Sequence, residues 1–299
     1  PGGMATVMRT LADHPPEGWE ATLLSSHSNG SLWAQWRAYR TAHRELNRRC
    51  TDDSERPNVV HVHVAADWSW RRKVRLVNVA KRHGVGVVVH LHSGRFDAWL
   101  DAGGARRLET VRTALISARI QPVVLSEVWR QRLESRIGPL TAIVNPLPPS
   151  SVHSADARDE HHLLLLGRSD PVKGHAFAIE VAERLRQTHP SLRLTMTGWG
   201  EENRLWINSP GWVSNEQKAS LLARASVLLV PSAYEGQPMV ALEALSAGLP
   251  VCVSDRVAGL PDAVVCAPHD DVEAWVSTLA ALLERPESTG ELADSVASH

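Results

Sequence analysis

Three stretches limit what this chain can fold into: "VGVVVHLHS" (85–93), "HHLLLLG" (161–167) and "SVLLVPS" (226–232). Each is strand-length, rich in Val and Leu, and lacks an alternating polar face. A strand of that kind is buried on both sides, which implies a parallel sheet covered by helices. The remaining sequence fits. "NVVHVHVA", "QPVVLS", "LRLTMTG" and "PVCVSD" read as further strands, and "EATLLSS" (20–26) as another. Between them lie helical patterns: "SLWAQWRAYRTAHRELNRR", "SWRRKVRLVNVAKRHG" closed by Gly84, a segment around 104–118, "GHAFAIEVAERLRQTHP", "NEQKASLLARA" and "HDDVEAWVSTLAALLER". The expected class is α/β.

The alternation is interrupted once, by the Pro- and Ser-rich "NPLPPSSVHSADARDE" (145–160), which reads as a linker. Charge changes sign there too. Residues 1–150 hold 21 Lys and Arg against 13 Asp and Glu, a net of +8; residues 151–299 hold 11 against 20, a net of −9. Two domains are therefore expected, 1–150 and 151–299, both Rossmann-like and facing across a cleft. Cys50, Cys252 and Cys266 form neither a CxxC pair nor a disulfide framework, and no apolar run reaches the roughly 18 to 20 residues of a membrane span. A cytoplasmic protein is the expectation. The opening "PGG" reads as the interior of a loop.

Open α/β sheets bind ligands beyond the carboxyl ends of their strands, and the second half carries three informative loops there. "RSDPVKG" places Arg168 and Lys173 before a helix start, a natural anion site; two solvated charges are the alternative. "GWGEEN" offers Gly198 and Gly200 for close backbone approach, though a plain turn fits equally. "PSAYEGQPMVALEALSAGLP" (231–250) reads as a short helix with Pro238 at its first position and Gly248 as its stop. The free amides of about 236–240 suit a diphosphate. Glu243 is the one carboxylate on this otherwise apolar helix. Burying it unpaired costs several kcal/mol, so it needs an internal cation or a ligand's hydroxyls; ribose supplies two. Glu235, outside the helix, suits a sugar's hydroxyls or is a solvated loop residue.

These segments, together with "GWVSNEQKASLLARASVLLVPSAYEGQPMVALEALSAGLPV" and "GLPD", resemble family 4 of the retaining glycosyltransferases, of GT-B fold, strongly over about 160–285. The spacing of Glu235 and Glu243 is similar to that family's E-x7-E motif. In the first half, "PGGMATVMRTL" looks like its glycine loop, with the preceding strand missing. "HVHVAADWSWRRKVRLVNVAKRHGVGVVVHLHSGRFDAWL" is similar to members that build bacterial polysaccharides. The resemblance implies that Arg168 and Lys173 neutralise a leaving diphosphate, Glu243 holds ribose and Glu235 holds donor-sugar hydroxyls. It implies backbone contacts at Gly236, Gln237, Pro238, Met239 and Val240, and a nucleobase beside Trp212 and Val213. Gly2 and Gly3 would close on the diphosphate, and His92 would touch the donor sugar near the reacting centre. The implied activity is sugar transfer from a nucleotide-diphosphate sugar, UDP favoured, to a hydroxyl acceptor such as a lipid-linked saccharide. Alternatives are natural-product glycosylation, a non-catalytic nucleotide-sugar-binding protein, or a phosphorylase or epimerase of this fold.

Two HxH pairs, His61/His63 and His90/His92, each face one side of a strand. Such pairs on adjacent strands can hold a metal, but no carboxylate or Cys cluster joins them. No D-x-D occurs either, so no metal and no cofactor beyond the donor are expected. Trp68 and Trp70 beside Arg71, Arg72, Lys73 and Arg75 suit either a solvated face or peripheral contact with an anionic membrane. No motif supports nucleic-acid binding.

Overall fold

The computed structural model describes residues 2–28, 30–147, 158–200 and 202–284. Most of the expected linker, 148–157, lies outside them. The chain divides into two compact units, Pro1–Pro146 and Leu147–His299. Each has its own core.

Unit 1 begins with α1 (Gly3–Asp13) and α2 (Leu32–Thr51), the latter capped by Ser31, whose hydroxyl accepts from the Ala34 amide. Its sheet contains β1 (Val59–Val64), β2 (Gly86–Leu91), β3 (Ile120–Val124) and β4 (Thr141–Ala142), all parallel and in sequence order. The connections are α3 (Trp68–Arg82), then α4 (Phe96–Ala102) with α5 (Gly104–Leu115), then α6 (Glu127–Ile137). Valines at 62, 64, 87 and 89 are buried from the sheet, and Trp70, Phe96, Trp99 and Trp129 cover them from the helices.

The expected strand at 20–26 does not form. Residues 20–25 are exposed and irregular, because two leucines do not hold an extended segment that pairs with no neighbouring strand. The expected helix around 104–118 forms as α5, and a further short helix, α4, precedes it with Gly103 between the two.

Unit 2 contains β5 (His162–Leu165), α7 (His175–Leu185), β6 (Arg193–Thr197), β7 (Ile207–Gly211), α8 (Asn215–Arg224), β8 (Val227–Val230), α9 (Met239–Ser246), β9 (Val251–Ser254), β10 (Val265–Ala267) and α10 (Val272–Glu284). The strand order is β10-β9-β8-β5-β6-β7, all parallel. Strands β7 and β10 carry too little apolar pattern to read from sequence; "INSPG" is half exposed and β10 has three residues. The chain enters at β5, builds outward to β7, then returns to β5's other side with β8. That reversal makes the β5/β8 junction a switch point, where the flanking loops diverge and leave a crevice.

Helix α9 ends as expected. The amides of Gly248 and Leu249 bond the carbonyls of Leu245 and Ala244, a paired closure. Its start differs by one residue: Pro238 is the extended N-cap and Met239 the first helical residue. Among the described residues no helix is long and apolar enough to cross a membrane.

Candidate nucleotide-sugar site

The two loops beside the switch point are those after β5 and after β8. In the first, Asp170 accepts from the Val172 amide at 3.1 Å and sets a 3-10 turn over Pro171–Lys173. Gly174 then adopts φ +72°, and a Cβ there would lie 2.7 Å from the Pro231 carbonyl oxygen. Only glycine therefore lets this loop close against the loop after β8. The Ala233 amide bonds the Val172 carbonyl at 2.9 Å and completes the contact. Lys173 and Glu235 form an ion pair across it. The Ser232 hydroxyl donates to Glu235 Oε1 at 2.9 Å, the same oxygen that meets Lys173. Arg168 points outward, 72 % exposed, and pairs with Asp170 at 3.2 Å.

Gly198 stands behind this loop at φ +69°. A Cβ there would sit 2.3 Å from the Gly167 carbonyl oxygen and 2.7 Å from Arg168 Cα. Its glycine requirement thus comes from the Arg168 loop itself. Nothing within 4 Å would meet a Cβ on Gly200. His175 opens α7 buried, with Nε2 3.0 Å from the Thr197 carbonyl and its ring stacked 5.2 Å from Trp199. Burial lowers its pKa.

Glu243 is 10 % exposed, and both its oxygens lie 2.8 Å from Lys218 Nζ on α8. The carboxylate on the apolar helix therefore has an internal partner. The ammonium takes part of its accepting capacity and leaves lone pairs on each oxygen. Arg158 fixes the two helices that carry this pair. Its guanidinium donates to the carbonyls of Leu222 and Ala223 in the last turn of α8 and of Ala225 just after it at 2.8–3.1 Å, and to Ala247 after α9 at 2.6 Å. No side chain caps the N-terminus of α9, so its first-turn amides have no partner of that kind. Gln237 is buried and donates to the Gly259 carbonyl at 2.8 Å. Trp212 is 65 % exposed after β7, with Val213 half-buried beside it.

Unit 2 thus brings Arg168, Lys173, Glu235 and the start of α9 to one switch point, with Glu243 on the same helix. Gly2 and Gly3 lie in unit 1, as N-cap and first residue of α1. His92 follows β2, also in unit 1. Its amide bonds the Val64 carbonyl at 2.7 Å, and burial lowers its pKa well below the ordinary value.

Residues 160–285 match the family described as glycosyl transferases group 1. Across both units the chain is similar to a glycogen synthase of Mycobacterium tuberculosis, at 29% identity over 270 residues, 81% of this chain and 64% of that protein. The chain thus spans less than two thirds of that relative's length. Among solved structures, the sucrose-phosphate synthase from Thermosynechococcus elongatus superposes with a TM-score of 0.68 at 17% identity, covering 98% of this chain and 87% of that one. The pneumococcal O-GlcNAc transferase GtfA, in complex with UDP and GlcNAc, superposes at 0.55 and 16% identity, covering 74% and 51%. The fold is GT-B.

Sequence reasoning missed Lys218, Ser232, Asp170 and Arg158. A signal existed for the first. The chain has only four lysines, at 73, 81, 173 and 218, so arginine carries nearly all the positive charge. Two of the four neutralise the two carboxylates of the E-x7-E pair.

Proposed function

We propose that this chain is a retaining glycosyltransferase that moves a sugar from a nucleotide-diphosphate donor, UDP favoured, to a hydroxyl acceptor in bacterial polysaccharide or glycoconjugate synthesis. The observation that carries the reading is the convergence of Lys173, Glu235 and the uncapped start of α9 at the β5/β8 switch point.

The diphosphate lies against the backbone at 236–240, where the Met239 and Val240 amides and the helix dipole favour negative charge. Arg168 and Lys173 neutralise it. Glu235 Oε1 already holds Ser232 and Lys173, so Oε2 accepts from hydroxyls of the donor sugar. Glu243 accepts from the ribose hydroxyls with the lone pairs Lys218 does not use. Trp212 and Val213 border the base. As the anomeric carbon–oxygen bond breaks, charge builds on the leaving phosphate, which takes the acceptor's proton as the new glycosidic bond forms on the same face. Positioning and charge stabilisation then perform the catalysis, with no enzyme nucleophile and no metal at the diphosphate. The roles proposed for unit 1 are contact with the donor sugar for His92 and with the diphosphate for Gly2 and Gly3.

Calorimetry with UDP, GDP and ADP, without added metal, tests this. The expected result is one preferred nucleotide whose binding weakens by about 1–3 kcal/mol in Glu243→Ala. Absence of binding at millimolar nucleotide would reduce Glu243–Lys218 to a structural ion pair and remove the reading's main support.

The acceptor side is proposed to lie at an anionic membrane. Trp33, Trp36 and Trp68 are exposed on α2 and α3, and the guanidiniums of Arg40 and Arg71 lie 5.1 Å over Trp36 and Trp68. Aromatic and basic side chains in this mixture suit a headgroup region. Sedimentation with anionic but not zwitterionic vesicles, reversed by salt, is the expected outcome.

A further inference from the structure

Strands β1 and β2 place four imidazoles on one face. His63 is directly opposite His90 in the register, His61 is two residues before His63, and His92 two after His90. Ring centroids lie 4.2 Å apart for His61/His63, 5.5 Å for His61/His90 and 5.4 Å for His63/His90. One nitrogen from each of His61, His63 and His90 falls within 4.8 Å of the others.

The nitrogen contacts are of two kinds. His63 Nδ1 and His92 Nε2 are 2.8 Å apart, an ordinary hydrogen bond. His61 Nε2 and His90 Nδ1 are 3.4 Å apart, too long for a good N–H···N bond. That separation is instead about what two imidazoles show at one tetrahedral ion with metal–nitrogen distances of about 2.0–2.1 Å. His90 Nε2 is buried without a hydrogen-bond partner. The Ile143 backbone acts on that ring but makes no bond of normal geometry.

We propose that His61, His63 and His90 form a binding site for one divalent transition-metal ion of the zinc class, with His92 orienting His63. A proton on His63 Nδ1, donated to His92 Nε2, leaves His63 Nε2 bare to ligate. Such a hydrogen bond from the non-ligating nitrogen is how metal-bound histidines are usually held. A site of neutral imidazoles without carboxylates suits zinc, nickel or copper and excludes magnesium and calcium, which take oxygen ligands. Three protein ligands leave a fourth position for water or a substrate oxygen. The three nitrogens lie within 4.8 Å of one another, and His61 stands at the exposed end of the cluster. Lys73 opposes the ion's charge, since its ammonium acts on His63 and His92. The three ligands lie on β1 and β2 of unit 1, and the proposal departs from the expectation, drawn from sequence, that these histidines hold no metal.

The test uses the untagged full chain, stripped with chelator and titrated with zinc(II) against a competing indicator, then with cobalt(II) read by its visible bands. One ion per chain is expected, with the intense bands of four-coordinate cobalt. His61→Ala should lower affinity at least tenfold and abolish those bands. His92→Ala should weaken binding by about 10- to 100-fold, as loss of an orienting partner does. His14→Ala/His189→Ala, away from the cluster, should change nothing. His61 is exposed, so its variant is expected to fold, and a far-UV spectrum checks this. Sub-stoichiometric binding, or binding unchanged in His61→Ala, overturns the proposal. The metal titration contains no nucleotide, so its outcome is read apart from that of nucleotide calorimetry.

Discussion

At the scale of single residues, Glu243 and Lys218 carry opposing demands. The carboxylate is nearly buried, and losing its cation leaves an unpaired charge. Lys218→Met should therefore cost about 2–3 kcal/mol, below the 3–5 kcal/mol of a fully buried pair because Lys218 is 29 % exposed. Adding Glu243→Gln should restore part of that, which denaturant melts of the single and double variants will measure. A different constraint acts at Gly198. Alanine there meets backbone on one side and holds φ +69° on the other, so Gly198→Ala should cost at least about 2 kcal/mol. If Gly198 were instead kept open for a ligand, the variant would lose binding and keep its stability.

At the scale of elements, Arg158 links the ends of α8 and α9, the helices that carry Lys218 and Glu243. Replacing it strands several buried carbonyls. Arg158→Met should lower stability by about 2–3 kcal/mol and weaken nucleotide binding with it, while Arg158→Lys restores neither fully, lacking the fork. Histidines supply a pH dependence. Burial lowers the pKa of His162 in β5 and of His175 in α7. The folded state then binds fewer protons than the unfolded state below the ordinary value of 6.5, so stability is present above 6.5 and is lost as pH falls below it. Thermal melts at pH 7.5 and 5.5 should show that loss, and His175→Gln should reduce it.

How legible these elements were depends on what holds them. The strands buried on both faces, such as "VLLV", and the helices with strong caps, such as α8 behind Ser214, announce themselves locally. Strand β7 exists because β6 supplies its ladder, and nothing in "INSPG" predicts that partner. The segment 20–26 is the converse, with strand-like residues and no ladder. The site divides the same way. Loop residues such as Lys173 and Glu235 were readable as chemistry, whereas their pairing, Arg158's bridge and the convergence of β1 and β2 histidines are properties of the register.

At the scale of the whole molecule, the units have separate cores and opposite charge, +8 over residues 1–150 and −9 over 151–299. Their proposed tasks separate accordingly. A fragment covering 158–284 should fold and retain nucleotide binding within about tenfold of the full chain, since the switch-point residues all lie inside it. It should not sediment with anionic vesicles, because the exposed tryptophans of α2 and α3 (Trp33, Trp36 and Trp68) and most of the arginines are in the other unit. Circular dichroism and calorimetry on the fragment, then vesicle sedimentation of both forms, check each half of that statement.

The scarcity of lysine has a practical consequence. Reductive methylation with isotope-labelled formaldehyde marks amines only, and the side-chain amines of this protein are four. Two of them grip the carboxylates of the proposed donor site, a third faces the histidine cluster, and Lys81, in the last turn of α3, is an internal reference. A methyl spectrum with one side-chain signal per lysine thus carries a separate resonance for each end of the proposed donor site and one for the proposed metal site. Both ligands can be followed in the same tube, without introducing a single foreign probe.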